Sequence, residues 1–83
     1  MKVDISINSE DFSTKLTLET AAFENDRSFS EAGAILTMIA GDYSLDPELE
    51  TSELKSFVNK AIEDSKTKLV FTIDEDGLDL ELL

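Results

Sequence analysis

The sequence predicts an α+β fold: a mainly antiparallel four-stranded sheet with two helices on one face, in the order ββααββ. Apolar and polar residues alternate along segments near both ends of the chain, which is typical of strands with one buried face. Two segments in the middle carry apolar residues at helical spacing instead. A chain of 83 residues is the right length for one domain, residues 1–83.

The N-terminal part is expected to form a β-hairpin from residues 2–8 and 12–20. In the first strand Val3, Ile5 and Ile7 alternate with polar residues, so one face is predicted to be buried and the other to face water. The second strand is predicted to place four side chains on its buried face: Phe12, Thr14, Leu16 and Leu18. The turn between them is rich in turn-forming residues.

Residues 21–28 are predicted to be a loop, followed by a first helix that ends near Ala40 with Gly41 as its stop. Ser28 precedes Glu31 by three residues, which is the spacing of a capping box, and Ser30 is an alternative cap. Residues 32–40 carry no charge, so this helix is expected to be central and covered on more than one side. Its apolar face would comprise Phe29, Ala32, Gly33, Leu36, Ile39, Ala40 and Tyr43, widened by Ile35 and Met38.

A second helix is predicted over about 52–65. Its apolar face would comprise Leu54, Phe57, Val58, Ala61, Ile62 and Ser65. Asp46-Pro47 has the pattern of an N-cap followed by a first-turn proline, so it marks either a short helical turn or the start of this helix. Lys60 and Asp64 are four residues apart and are expected to pair.

The C-terminal part is predicted to be a second hairpin. Leu69, Phe71 and Ile73 alternate with Lys68, Val70 and Thr72, and residues 74–77 form the turn. Leu78, Leu80 and Leu82 then alternate with Asp79, Glu81 and Leu83. Gly77 is suited to a left-handed turn position. Val70 and Leu83 are apolar on the face that is expected to be open.

Missing residue types exclude most catalytic and cofactor sites. The chain has no His, Cys or Trp, so it has neither a Ser-His or Cys-His pair nor the usual ligands of zinc. Three glycines are too few for a dinucleotide fingerprint or a phosphate-binding loop. Among nineteen acidic residues chance carboxylate pairs are unavoidable, so such pairs do not indicate an active site. We therefore expect a protein that is not an enzyme and needs no cofactor.

The acidic segment Asp74–Asp79 does not match a calcium-binding loop. Counted from Asp74, its glycine stands at position 4 rather than position 6, and no acid stands at position 12. A solvated hairpin turn is the better interpretation, and no metal is expected.

The charge balance indicates which partners to expect. Acidic residues outnumber basic ones 19 to 7, and the net charge is −12. Direct binding to nucleic acid or to an anionic membrane is therefore not expected, because both require basic patches. The N-terminus lacks a signal-like apolar block, and the longest apolar stretch, residues 32–40, is too short to cross a bilayer. Together with the absence of cysteine, this favours a cytoplasmic protein.

Two acidic clusters stand out. The connection cluster lies between the two helices and the hairpin cluster lies in the C-terminal hairpin, and neither contains a basic residue. The candidate partner-binding residues are Asp42, Asp46, Glu48, Glu50 and Glu53 in the first cluster and Asp74, Glu75, Asp76, Asp79 and Glu81 in the second. The alternative is a structural role: charges on an exposed strand discourage aggregation, and acids near a helix start favour its dipole.

The leading hypothesis is a non-enzymatic acidic interaction protein that binds a basic protein surface. In one form of this hypothesis the partner is a nucleic-acid-binding protein, and the chain is a phage or mobile-element inhibitor that mimics DNA. Small anionic proteins that inhibit nucleic-acid enzymes are similar to this chain in size and charge, a likeness that assigns no residue. The alternative hypothesis is an assembly subunit, such as a homodimer, that self-associates through the apolar helix 29–40 or an exposed strand.

Overall fold

Two layers make up the molecule: an antiparallel sheet with the strand order β1-β2-β3-β4, and two helices that cover one of its faces. The computed structural model describes residues 2–46 and 49–83. The elements are β1 (Asp4–Asn8), β2 (Ser13–Glu19), α1 (Asp26–Gly41), α2 (Thr51–Glu63), β3 (Lys68–Asp74) and β4 (Gly77–Leu82), with a short 3₁₀ turn, Thr20–Ala22, after β2. The predicted α+β class, the antiparallel pairing and the order ββααββ are confirmed.

Strand register gathers the apolar side chains on the face that meets the helices. Leu16 of β2 lies opposite Phe71 of β3, which lies opposite Leu80 of β4. Leu16 and Phe71 are fully buried, and Leu80 packs against them from the edge. The buried core consists of Leu16, Leu18, Ala32, Leu36, Leu54, Val58, Ala61, Leu69, Phe71 and Ile73.

The prediction of a buried face on the first strand was wrong for Ile5 and Ile7, whereas Val3, which precedes β1, packs against the core. All five residues of β1 are exposed, and Ile5 and Ile7 retain 47% and 77% of their accessible surface. Ile5 pairs with Leu16, so it does point to the helix side of the sheet. Both helices, however, pack over the central strand β3, and the edge strand extends beyond their cover.

The prediction that Phe12 lies on the buried face of the second strand was also wrong. Phe12 lies in the turn before β2, with a left-handed φ of 51°, and is 74% exposed. The second strand begins at Ser13, one residue later than predicted, and Ser13 pairs with Asn8. Phe12 therefore does not join Leu16 and Leu18 in the core.

The first helix begins earlier than the predicted serine caps. Asn25 is the N-cap, and its side-chain oxygen accepts a hydrogen bond from the backbone N–H of Ser28 at 3.1 Å. Asp26 follows in the first turn, where an acid favours the helix dipole. Because Asn25 caps this end, Ser28 and Ser30 lie inside α1, and residues 26–28 are helix rather than loop.

After each helix, the residue that takes the left-handed conformation is a serine and not a glycine. Ser44 has a φ of 58°, and the next residue, Leu45, donates its N–H to the carbonyl of Ala40 at 3.0 Å. Ser65 has a φ of 59°, and Lys66 donates to Ala61 at 2.7 Å in the same way. This pattern is the Schellman motif. Gly41, predicted as the stop of the first helix, is its last helical residue.

The prediction that α1 is covered on several sides holds for only part of its surface. Ala32, Leu36 and Ala40 are buried against the sheet and α2. On the other side Ala34 is exposed and Met38 keeps 73% of its surface accessible. The helix thus has one solvent face although that face carries little charge.

The second helix packs its start against the first half of α1. It begins at Thr51 after the N-cap Glu50, so Asp46 does not cap it, and Pro47 lies outside the described residues. Lys55 Nζ lies 2.8 Å from Asp26 Oδ1 and 5.6 Å from the centroid of the Phe29 ring. The hydrogen bond and the positive charge of Lys55 lower the pKa of Asp26 from its usual 3.8.

The C-terminal hairpin and the pairing of Lys60 with Asp64 follow the predictions. At the end of α2, however, Ile62 and Ser65 were predicted on the apolar face, but Ile62 is 58% exposed and Ser65 is exposed after the helix. Lys60 Nζ and Asp64 Oδ2 lie 3.9 Å apart, as their spacing predicts. In the hairpin, Val70 lies on the open face between Thr17 and Glu81, where its neighbours leave it only 8% exposed. Leu83 stays 52% exposed.

Candidate functional site

Three chain connections meet at one end of the molecule. Asn8 pairs with Ser13, Thr14 pairs with Ile73, and Asp74 pairs with Gly77, so the β1–β2 turn and the β3–β4 turn lie at the same end of the sheet. We call this region the acidic end. Its carboxylates are those of Glu10, Asp11, Asp42, Asp46, Asp74, Glu75 and Asp76.

A hydrogen bond brings the end of α1 to this region. The hydroxyls of Tyr43 and Thr14 lie 2.7 Å apart, and Thr14 is the second residue of β2. Tyr43 directly follows Asp42, and the Schellman motif then turns the chain so that Leu45 packs against the core. Asp42 and Asp46 flank this anchored segment and are exposed.

The β3–β4 turn presents its acids to solvent on a fixed backbone. The side chain of Asp74 accepts hydrogen bonds from the backbone N–H groups of Asp76 at 2.9 Å and of Gly77 at 3.1 Å. Gly77 has a φ of 144°, a conformation that side chains rarely allow. Glu75 and Asp76 are exposed at the tip of the turn. Asp74 therefore shapes the turn, while Glu75 and Asp76 supply accessible charge.

The structure divides the connection cluster. Glu50 and Glu53 are exposed at the start of α2, but Leu54 of the same turn packs beside Gly33, nine residues before Asp42 along α1. At 1.5 Å per residue, that separation is roughly 13 Å along the helix axis. Asp42 and Asp46 thus belong to the acidic end, and Glu50 and Glu53 lie closer to the middle of α1. Glu48 lies outside the described residues.

The hairpin cluster is divided as well. Asp79 is close to the turn and lines, with Asp74, Asp76, Gly77 and Leu78, an open depression of about 440 Å³. Glu81 stands one row further along the open face of the sheet, beside Val70. The acidic end therefore continues onto the sheet through Asp79 but does not include Glu81.

Four of the seven basic residues lie at the opposite end of the molecule, whereas Lys15 stands on β2 in the same row as Thr72 and Asp79. Lys2 precedes β1, Arg27 is in the first turn of α1, and Lys66 and Lys68 adjoin the start of β3. Glu19 pairs with Lys68 in the register, and both line an open cavity of about 330 Å³ together with Lys2 and Asp4. This end is mixed in charge, whereas the connecting segments of the acidic end, residues 9–12, 42–46 and 74–77, contain no basic residue.

The acidic end presents exposed carboxylates to solvent. Across residues 2–46 and 49–83, no group of three or more acidic side chains is placed to hold a metal ion. The acidic end can therefore bind cationic groups through many exposed carboxylates.

Sequence reasoning missed Glu10 and Asp11 as members of this surface. They stand apart from both predicted clusters, and their acidity alone does not distinguish them from other turn residues. The order of the strands could have indicated them. When the second and third strands of a ββααββ chain pair antiparallel, the turns of the two hairpins lie at the same end of the sheet.

Comparisons with family models, with curated proteins and with solved structures gave no match. No helix in the described part of the chain is both long and apolar enough to cross a membrane.

Proposed function

We propose that this protein is a non-enzymatic interaction protein whose acidic end binds a basic surface of another protein. The observation that supports this most is the convergence of three acidic connections, from distant parts of the chain, on one end without a basic residue among them. Asp42, Asp46, Asp74, Glu75, Asp76 and Asp79 are the contact residues that we propose from the predicted clusters, joined by Glu10 and Asp11.

The concentration of carboxylates at the acidic end favours this function over general solubility. Scattered charge is enough for solubility, but a one-sided field steers a partner to one orientation and raises its association rate. Since exposed carboxylates are screened by salt, the binding should weaken as ionic strength rises. The fixed backbone of the β3–β4 turn and the Tyr43 anchor reduce the ordering that binding would otherwise require.

The test uses two variants with equal net charge. The end variant carries Asp11→Asn, Asp42→Asn, Glu75→Gln and Asp76→Asn. The control variant carries Glu24→Gln, Glu50→Gln, Glu53→Gln and Glu63→Gln, all exposed positions outside the acidic end. Tagged wild type and both variants are used to capture partners from lysate of the source organism, with elution by a salt gradient and identification by mass spectrometry.

We expect wild type and the control variant to retain the same basic protein, released at moderate salt, and the end variant to lose it. Equal capture by the end variant, or a partner that high salt does not release, would count against the acidic end as the binding surface.

We further propose that the partner is a nucleic-acid-binding protein and that the acidic end takes the place of phosphates, as in a phage or mobile-element inhibitor. Carboxylates on a rigid surface can occupy basic side chains that otherwise neutralise DNA. This version predicts that the protein displaces labelled DNA from the captured partner and that the end variant does not. A ternary complex with DNA would contradict it. We propose the cytoplasm as the place of action, which suits a small domain without disulfides.

A further inference from the structure

The edge strand β1 carries an uncovered apolar surface on the helix side of the sheet. Ile5 and Ile7 point to that side because they pair with Leu16 and Thr14, yet they remain 47% and 77% exposed. Both helices make their main sheet contacts with β3, which is separated from β1 by β2. Two adjacent isoleucines beside an unpaired backbone edge are characteristic of a site for strand addition.

The other sheet edge lacks this character. On β4, Asp79 and Glu81 alternate with leucines that pack against the core. Charged side chains on an edge strand discourage pairing with another chain. Within β1 the one charged residue is Asp4, and its isoleucines are not covered. The charged edge strand β4 is thus protected against pairing with another chain, and β1 is less protected.

We propose that β1 pairs antiparallel with β1 of a second copy of this chain, about a two-fold axis at Ser6. In this register Ile5 lies opposite the partner's Ile7, and Asp4 lies opposite the partner's Asn8. Both isoleucine pairs fall on the helix side, where cross-strand apolar pairs stabilise a sheet. The result is an eight-stranded sheet whose outer edges are the two charged β4 strands, so assembly closes at two copies.

Charge complementarity indicates that the chain that pairs with the β1 edge is a second copy of this protein. Lys2 stands two residues before β1 and Glu10 lies in the turn that follows it, so the register brings Lys2 of each copy to the β1–β2 turn of the other, which carries Glu10. An antiparallel pair also places the acidic end of each copy beside the mixed-charge end of the other. The two acidic ends then point in opposite directions, which limits repulsion between molecules of net charge −12 and leaves most of each acidic end accessible.

The first test measures mass by sedimentation equilibrium up to about 1 mM, the concentration at which even a weak dimer forms. We expect wild type to dimerise and Ile7→Lys to weaken the dimer about tenfold or more through the loss of both cross-strand pairs. Met38→Lys is the matched control, since Met38 is 73% exposed on α1, and it should dimerise like wild type. A monomeric wild type, or a dimer lost in Met38→Lys but kept in Ile7→Lys, overturns the proposal.

A charge exchange tests the register itself. Lys2→Glu and Glu10→Lys should each weaken the dimer, and the double variant Lys2→Glu/Glu10→Lys should restore it. Glu75→Lys changes the net charge as Glu10→Lys does, but at a position outside the dimer contact, so it should not weaken association. Failure of the double variant to recover affinity excludes this pairing. Since the isoleucine contact is apolar, the dimer should persist at high salt, where binding through the acidic end is lost.

Discussion

At the scale of single residues, the hydroxyl pair of Tyr43 and Thr14 joins the end of α1 to the sheet. Tyr43→Phe leaves the buried Thr14 hydroxyl without this partner, so we expect the free energy of unfolding to fall by about 1–2 kcal/mol. Urea unfolding at equilibrium measures it. Thr14→Val and the double variant complete a cycle, and the two effects should be clearly less than additive. Additive effects would mean that the pair does not anchor α1.

The ion pair of Asp26 and Lys55 gives a pH-dependent contribution to stability. Because Lys55 lowers the pKa of Asp26 in the folded state, the contribution is fully present above the usual value of 3.8 and is lost as the pH falls through the lowered folded value. Lys55→Met should return the pKa of Asp26 toward 3.8. NMR titration of the Asp26 carboxyl carbon measures this, and an unchanged pKa in the variant would refute the pairing. The effect on stability should be small since both groups are solvated.

At the scale of elements, the start of α1 depends on Asn25 rather than on a serine. Asn25→Ala removes the side-chain acceptor of the Ser28 N–H and should cost about 1 kcal/mol of stability. Ser30→Ala is the control, since Ser30 lies exposed inside the helix, where alanine is equally or better suited. Thermal unfolding of the two variants compares them directly. A larger loss in Ser30→Ala would restore the predicted serine cap.

The backbone conformation of Ser65, just after α2, is unfavourable for a residue with a side chain. Ser65 is exposed with a φ of 59°, a conformation that costs a non-glycine residue about 1 kcal/mol or somewhat more. Ser65→Gly should therefore stabilise the protein by up to that amount and raise its melting temperature. Ser56→Gly, in the middle of the same helix, should destabilise it instead. If both substitutions destabilise the protein, the left-handed conformation of Ser65 is wrong.

The elements could be predicted because their signals are local. Alternation in Leu69–Ile73 and Leu78–Leu82 and the helical spacing of Leu54, Val58 and Ala61 each correspond to the observed strand or helix. The start of α1 could not be fixed in the same way. Asn25, Ser28 and Ser30 are all good caps, and which of them takes the extended cap conformation depends on how the chain leaves the 3₁₀ turn.

The exposure of β1 and the composition of the acidic end depend on tertiary structure. Alternation at Ile5 and Ile7 shows which way the side chains point, but not whether a helix lies above them. The separation of Glu53 from Asp42 likewise depends on where α2 packs along α1, which sequence spacing does not give. The structure brings part of each predicted cluster to the acidic end, and sequence spacing does not give that grouping.

At the scale of the whole molecule, like charges at the acidic end oppose folding. Raising the salt concentration should increase the melting temperature of wild type, because screening reduces self-repulsion. The end variant should be more stable than the control variant at low salt and should gain less from added salt, although both carry the same net charge. Differential scanning calorimetry across a salt series measures this. Identical salt responses would show that the charge acts as a uniform field.

Binding through the acidic end is the central claim, and the affinity of the captured partner tests it most directly. Isothermal titration at two salt concentrations would compare wild type, the end variant and the control variant. We predict that the end variant binds about tenfold more weakly or worse at low salt, that the control variant binds nearly as wild type, and that the difference shrinks at high salt. Equal affinity of the end variant, or an equal loss in both variants, would contradict the proposed function.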